Sequence, residues 1–193
     1  YTAHEQVAAG YIQLDIDLLK NLQFISVVRI EHTAQDYATE MSAIADGKYG
    51  SVNYTDLLPS GTLKYSINQQ QVLRASYFRS IIRPEFYELV PSEDHGTTFN
   101  VFGHARLRHT RADNYDLKYA WFGSGSDQIS LGAFYKSIYD PIEYGVTRKG
   151  PSAQFFMPQN FWTAHNYGIE AVFTKFVGMF GLSLNYTYTN SKI

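Results

Sequence analysis

The sequence of 193 residues contains no cysteine, and charged residues make up only 18% of it. Without cysteine the chain can form neither disulfide bonds nor cysteine metal sites. Its 16 Lys and Arg residues against 18 Asp and Glu residues give a formal net charge of −2. They form no basic block that could neutralise the phosphates of a nucleic acid. The composition therefore argues against a general nucleic-acid-binding protein.

Long hydrophobic runs are also missing. The longest are a few residues, such as Val27-Val28 and 171–173. A membrane-spanning helix needs about 20 consecutive, predominantly apolar residues, so the sequence predicts none. The strands of a transmembrane β-barrel alternate lipid-facing and lumen-facing residues, and their mean hydropathy is close to neutral. The lack of long hydrophobic runs therefore does not exclude a transmembrane β-barrel.

Aromatic residues, in contrast, are abundant at 16% of the chain, with 16 Tyr and 13 Phe. These residues favour β-strands and the interfaces between membranes and water. The length of 193 residues suffices for one domain or a large part of one. The composition is that of a β-rich protein.

Apolar and polar residues alternate in eight segments, which predicts eight β-strands. In the clearest one, Leu182, Leu184 and Tyr186 alternate with Asn185 and Thr187. The predicted strands lie at about 7–18 and 22–33, in the two arms of a hairpin that turns at 68–70 within 56–91, and at about 112–122, 129–136, 165–177 and 182–189. We predict an all-β fold, an antiparallel meander of about eight strands.

The connections between the predicted strands alternate between short and long. The short turns lie at about 19–21, 68–70, 123–127 and 178–181, and the long connections at about 32–53, 82–110 and 141–164. All short turns thus fall at one end of the sheet and all long loops at the other, as in outer-membrane barrels. We therefore interpret the meander as part of a large transmembrane β-barrel. A soluble up-and-down meander with uneven loops is the alternative.

A barrel wall would present one face of each strand to lipid and the other to the lumen, with aromatic girdles at both interfaces. The aromatic residues at strand ends or on the apolar face are Tyr65, Tyr77, Tyr115, Tyr119, Trp121, Tyr135, Tyr139, Tyr186 and Tyr188. We expect lipid contact for Leu73, Ala75, Tyr77, Ile129, Leu131, Ala133, Leu182, Leu184 and Tyr186. We expect the lumen face to carry Arg74, Ser76, Ser130, Gly132, Asn185 and Thr187.

Several short motifs follow one another along nearly the whole chain. They are Val28-Arg29-Ile30-Glu31, Leu57-Leu58-Pro59-Ser60, Leu73-Arg74-Ala75-Ser76-Tyr77, Arg83-Pro84, Asn114-Tyr115-Asp116-Leu117, Gly132-Ala133-Phe134-Tyr135-Lys136, Pro141-Ile142-Glu143, Gly168-Ile169-Glu170 and Asn185-Tyr186-Thr187-Tyr188-Thr189. In order and spacing they resemble the barrel of TonB-dependent outer-membrane receptors, in a style similar to the Bacteroides group. One turn departs from the family pattern: Gly103-His104-Ala105-Arg106-Leu107 stands where the family commonly has a glycine, asparagine, proline run.

The resemblance implies a receptor that imports a scarce extracellular ligand across the bacterial outer membrane. An iron-siderophore chelate is the first expectation, with cobalamin or an oligosaccharide as alternatives. The implied partners are outer-membrane lipid and the TonB complex, which acts through an N-terminal plug domain. Neither a plug nor a TonB-contacting segment is recognisable in this sequence. We therefore expect residues 1–193 to be a partial barrel domain of a larger receptor.

Ligand capture is expected at the long connections, because loops on a rigid scaffold carry exposed polar and aromatic groups. The candidate ligand-binding residues are Arg83, Glu85, Tyr87, His95, Arg148, Phe155 and Trp162. For each of them, an ordinary solvated loop residue is the alternative interpretation.

The sequence contains few patterns that would indicate catalysis or metal binding, and each of them is weak. Glu93-Asp94-His95 offers suitable ligand types, but adjacent loop residues rarely converge on one ion. There is no Gly-x-Ser-x-Gly nucleophile elbow. We predict no catalytic residue, no metal site, no cofactor and no enzymatic activity. A soluble β-rich binding module and, less favoured, an outer-membrane barrel enzyme are the alternatives.

Overall fold

A computed structural model describes residues 1–40, 47–91, 93–95, 100–149 and 153–193. The strands are β1 Thr2–Leu19, β2 Leu22–Ala38, β3 Tyr49–Ser66, β4 Gln71–Ile82, β5 Glu93–His95, β6 Asn100–Phe102, β7 Thr110–Phe122, β8 Gln128–Tyr139, β9 Ile142–Lys149, β10 Ala153–Asn160, β11 Thr163–Val177 and β12 Phe180–Lys192. A short helix, α1, spans Phe86–Leu89. No helix in these ranges has the length and apolar character needed to cross a membrane.

Eight long strands form one antiparallel sheet in the order β1-β2-β3-β4-β7-β8-β11-β12. Each strand pairs with the next long strand along the chain, so the sheet is an up-and-down meander. The predicted eight strands and the all-β antiparallel fold are confirmed. Among the residues that the structure describes, β1 and β12 each pair on one side only, and the sheet is open.

The predicted alternation of short and long connections is confirmed. Two to five residues join β1 to β2, β3 to β4, β7 to β8 and β11 to β12, all at one end of the sheet. The connections at 39–48, 83–109 and 140–162 lie at the other end. We call the two ends the short-turn end and the long-loop end.

The structure corrects all three of the predicted long connections. The one placed at 32–53 is shorter, because β2 continues to Ala38 and β3 already starts at Tyr49. Those strand ends are rich in polar residues on both faces, so the alternation that marks a half-buried strand fades there. The connections at 82–110 and 141–164 contain a second sheet, in the order β5-β6-β10-β9. Its strands are short and contain Gly145 and Pro158, which weaken any strand pattern in the sequence.

The two faces of the main sheet differ sharply in polarity. Side chains directly opposite each other in a ladder share a face. One row across five strands reads Leu73, Tyr119, Leu131, Ala171 and Tyr186, and the next row, on the other face, reads Arg74, Lys118, Gly132, Glu170 and Thr187. We call them the apolar face and the polar face. All fifteen residues that the sequence assigned to one face or the other lie as predicted.

The apolar face has the height of a membrane. On β11 its outward residues between His165 and Lys175 are all apolar or aromatic, and Ile169 is 54% exposed. From His165 to Lys175 the strand rises about 33 Å at ~3.3 Å per residue. A tilt of roughly 40° reduces this to about 25 Å, the height of the apolar band on outer-membrane barrels.

Aromatic residues border this band toward the long-loop end. Tyr77, Tyr115, Tyr135 and Tyr167 are direct ladder partners on four adjacent strands, and we call them the tyrosine row. The ring centroids of Tyr77 and Tyr115 are 5.1 Å apart. Tyr119 and Trp121 lie on the same face nearer the short-turn end. The aromatic residues named from the sequence all share this face.

A small core lies on the polar face at the long-loop end. The ladder between β3 and β4 ends at Ser60, directly after Pro59, which has no N–H to extend it. The chain that follows β4 then folds back over the polar face. Tyr37 of β2 packs there with Leu89, Val90 and Leu107, all at most 5% exposed. Burial of these side chains fixes the cap, formed by α1 and the second sheet, against the main sheet.

Candidate ligand-binding surface

The polar face of the main sheet forms a cleft of about 910 Å³. Both signs of charge line it, together with hydroxyl groups, on Thr62, Ser76, Asp116, Lys118, Lys136 and Glu170. This surface is suited to contact with water or polar protein rather than with lipid.

Arg83 fastens the start of the 83–109 connection to β2. Its guanidinium donates from Nε to the hydroxyl of Thr33 at 3.1 Å and pairs through Nη2 with the carboxylate of Glu31. Glu31 is 6% exposed and also accepts from Arg29. A carboxylate shared by two guanidinium groups is well compensated for its burial. Arg83 is a predicted ligand-binding residue, but its side chain binds Thr33 and Glu31 and so attaches the cap to β2.

His109 fastens the other end of the same connection to β3. Its Nε2 lies 3.0 Å from a carboxylate oxygen of Asp56, and its ring stacks on Tyr54 with centroids 3.9 Å apart. Gln35 of β2 adds a third attachment, because its amide donates to the carbonyl of Pro84 at 3.1 Å. The cap is therefore held at both ends of the connection.

The unusual turn at 103–107 packs tightly against α1. The amide of His104 donates to the carbonyl of Glu88 at 2.5 Å, and a Cβ on Gly103 would collide with the carbonyl of Val90. Only glycine can make this approach. Asn160 joins the two long connections, because its amide donates to the carbonyls of Arg108 and Asp140. The cap behaves as one packed unit.

Three other predicted residues have definite places on the cap. Glu85 precedes α1, and its amide donates to the side chain of Glu88 at 2.8 Å, which caps the helix. Tyr87 is 58% exposed and lies beside Tyr144. Burial, with Tyr87 and Glu88 close by, raises the pKa of Tyr144 to about 12. Tyr144 therefore remains a neutral hydrogen-bond donor across the physiological range.

The remaining candidates lie apart from one another. The ring of Phe155 packs edge-on against Phe102, with centroids 4.6 Å apart. Trp162 is 95% exposed, and no ring contact is seen for it among the described residues. His95 pairs through its backbone with Asn100, and Arg148 with Gln154, while both side chains lie outside those that the structure describes. Tyr87 and Trp162 are therefore the exposed aromatic groups of this set.

A family comparison agrees with this architecture. The TonB dependent receptor-like β-barrel family matches residues 1–193. The chain belongs to the TonB-dependent receptor barrel family. No curated protein matches the sequence.

Solved structures of receptor barrels share the fold at low sequence identity. The siderophore receptor PirA from Pseudomonas aeruginosa superposes with a TM-score of 0.70 at 13% identity, over 98% of this chain and 43% of that one. The hemophore receptor HasR from Serratia marcescens gives a TM-score of 0.79 at 14% identity, over 96% and 34%. The FrpB iron transporter from Neisseria meningitidis gives 0.70 at 16%, over 98% and 26%. The chain thus spans less than half the length of each of these receptor chains.

Sequence reasoning missed the residues that hold the cap to the barrel wall. They lie on three segments that are far apart in sequence, and no motif joins these segments: Thr33 and Gln35 on β2, Tyr54 and Asp56 on β3, and His109. A weak signal existed in the polar residues that continue along β2 beyond the apolar band. No cluster of three or more His, Asp or Glu residues that could hold a metal ion occurs in the described part of the chain.

Proposed function

We propose that this chain is part of the barrel wall of an outer-membrane receptor that imports an iron-siderophore chelate. The family match over residues 1–193 carries this proposal. The two-faced sheet supports it, because an apolar band about 25 Å tall fits a lipid bilayer and a polar face fits a lumen. A soluble binding module would have no use for such a band.

Iron-siderophore chelates are favoured by the proteins that share the fold. The solved structures include a siderophore receptor and an iron transporter, as well as a hemophore receptor in complex with heme. The cap also offers exposed aromatic groups at Tyr87 and Trp162. Aromatic faces bind flat or cationic ligand groups through stacking and quadrupole interactions. Cobalamin and oligosaccharides are the competing ligands.

The polar face supplies the route that such uptake needs. In the complete receptor we assign it to contact with a plug domain, which would receive energy from the TonB complex. Charged groups of both signs, such as Lys118 and Glu170, are available there for reversible contacts. We expect the chain to bind and guide its ligand without chemical change.

Uptake of radiolabelled iron by cells that carry the full-length receptor tests this proposal. Uptake of a ferric siderophore should require both the receptor and TonB. Trp162→Ala combined with Tyr87→Ala should weaken siderophore binding roughly five- to thirtyfold, as expected for exposed aromatic anchors. Met179→Ala is the control, since Met179 is 88% exposed at the short-turn end. If the receptor took up cobalamin or an oligosaccharide instead, the proposed ligand would be wrong. If deletion of the receptor gene left the uptake of all these ligands unchanged, the receptor function itself would be contradicted.

A further inference from the structure

Three cations lie side by side on the polar face, toward the short-turn end. Lys64, Arg74 and Lys118 are direct ladder partners on β3, β4 and β7, and we call them the cation row. Direct ladder partners have Cβ atoms about 5 Å apart, and like charges at that spacing destabilise a sheet. Charged groups that break a rule of sheet stability are typical of a functional site.

No acid lies in direct opposition to the cation row. Its ladder neighbours are Gln23 on β2 and Gly132 on β8, which carry no charge. Asp17 and Glu170 lie one strand further out on either side. Asp116 is two residues from the row along β7. The side chains of the row make no ion pair in the part of the chain that the structure describes. Positive charge therefore exceeds negative charge there.

The cation row also lies between two cavities. Arg74 and Lys118 line the cleft of about 910 Å³ on the polar face. Arg74 and Lys64 line a second cavity of about 590 Å³ at the short-turn end, together with the turn residues Asn68 and Gln69. Arg74 thus belongs to both cavities. A solute that moves from the cleft to the short-turn end along this wall passes the cation row.

We propose that the cation row binds the anionic oxygens of an iron chelate that passes from the cleft to the short-turn end, so that the imported chelate is an anion. Arg74 presents a planar fork that matches carboxylate oxygens, and Lys64 and Lys118 add a point charge on each side. The hydroxyls of Thr62 and Ser76, 3.0 Å apart, border the row toward the cleft and supply neutral hydrogen bonds. Ion pairs at such a solvated surface are individually weak, which allows release. This inference rests on the proposed import of an iron chelate.

The electrostatic potential at the cation row is measured with a single cysteine placed beside it. Thr62→Cys, in the full-length receptor freed of any other cysteine, reacts in detergent at low salt with an anionic sulfonatoethyl or a cationic trimethylammonioethyl methanethiosulfonate. Relative to its rate with free mercaptoethanol, the anionic reagent should react faster. Arg74→Gln should lower the ratio of the two rates roughly three- to tenfold. Removal of one charge at about 7 Å changes each rate up to about threefold, in opposite directions. Lys64→Gln should act in the same direction.

Ferric citrate, an anionic chelate, tests whether the row binds such a ligand. At millimolar concentration it should slow the reaction of Thr62→Cys with the uncharged methyl methanethiosulfonate, and Arg74→Gln should weaken this protection. Ferrioxamine B, a cationic ferric chelate, should protect less. The matched control is Lys192→Gln, which removes an exposed cation from the apolar face of β12 at the long-loop end. It should leave the rate ratio and the protection unchanged.

The outcomes separate the cation row from the proposed import. A rate ratio that does not favour the anionic reagent would overturn the site, and would indicate that an acidic segment of the receptor already neutralises the row. Equal protection by the two chelates, or no reaction of the cysteine with any reagent, would overturn it as well. Selective protection by ferric citrate, together with iron uptake that does not depend on the receptor, would support the anion site and contradict the proposed import.

Discussion

The imidazole of His109 lies 3.0 Å from a carboxylate oxygen of Asp56, on a strand 53 residues earlier in the chain. Both side chains are mostly buried on the polar face, with 17% and 8% of their surfaces exposed. The contact therefore joins the end of the 83–109 connection to the barrel wall.

A double-mutant cycle on His109→Ala and Asp56→Ala measures this attachment. Each single substitution should lower the free energy of unfolding by about 1–3 kcal/mol, because it leaves a buried polar group unpaired. The double variant should lose less than the sum, with a coupling of about 1 kcal/mol. Urea unfolding of the full-length receptor in micelles gives these values. Additive losses would show that the two side chains do not interact.

Arg83 should act on the cap and not on the ligand. Arg83→Lys should increase protease cleavage within 83–109, because a lysine cannot reach Glu31 and Thr33 at once. Siderophore affinity should change less than in the Trp162→Ala variant. Limited proteolysis and binding assays on the same preparations separate the two roles. A large loss of affinity with unchanged cleavage would restore Arg83 as a direct ligand contact.

Gly168 permits a close approach on the polar face. A Cβ there would collide with the carbonyl oxygen of Tyr188 and lie 2.7 Å from Cζ of Phe134. Gly168→Ala should therefore destabilise the receptor by roughly 1–3 kcal/mol in urea unfolding. Gly10→Ala is the control, since nothing lies within 4 Å of its Cβ position, and it should change stability by less than about 0.5 kcal/mol. Equal effects would argue against the β8–β11–β12 packing.

Asp127 should make the short-turn end sensitive to acid. The Asp127 carboxylate accepts hydrogen bonds from Lys175 and from the backbone amide of Phe176. These bonds, that of Lys175 most strongly, hold the pKa of this carboxyl below its usual value. A lowered pKa means that the stabilisation is present above the ordinary pKa of about 4 and disappears as the pH falls through the folded value. Asp127→Asn should therefore destabilise the β7–β8 turn at pH 7, and its effect should be smaller near pH 2. Hydrogen exchange of the Phe176 amide at both pH values measures this. A difference that persists in acid would contradict the ion pair.

The sequence predicted the main sheet well because its strands are long and amphipathic. Along β12, Leu182, Leu184 and Tyr186 face one side, and the alternation extends over the whole band. The apolar face requires this pattern, since a shift by one residue would exchange the two faces. Beyond the band both faces contact water or the cap, so the pattern disappears there. The sequence therefore places the end of β2 too early and the start of β3 too late.

The cap could not be predicted for a different reason. The contacts of Arg83 with Glu31 and of His109 with Asp56 span more than 50 residues, and they depend on how the connection folds back over the polar face. The sequence around a single charged loop residue does not indicate which distant residue it will contact. The loop candidates were therefore a mixture of cap-holding residues, such as Arg83, and exposed ones, such as Trp162.

The two-faced barrel wall is tested most directly by single-cysteine scanning of β8, because the chain contains no cysteine of its own. Residues 130–133 are replaced one at a time in the full-length receptor, labelled with a fluorophore and placed in vesicles that contain nitroxide-labelled lipid. Labels at Leu131 and Ala133 should be quenched by the lipid, and labels at Ser130 and Gly132 should not. Quenching in the opposite order, or uniform quenching at all four positions, would contradict the assignment of the apolar face to lipid.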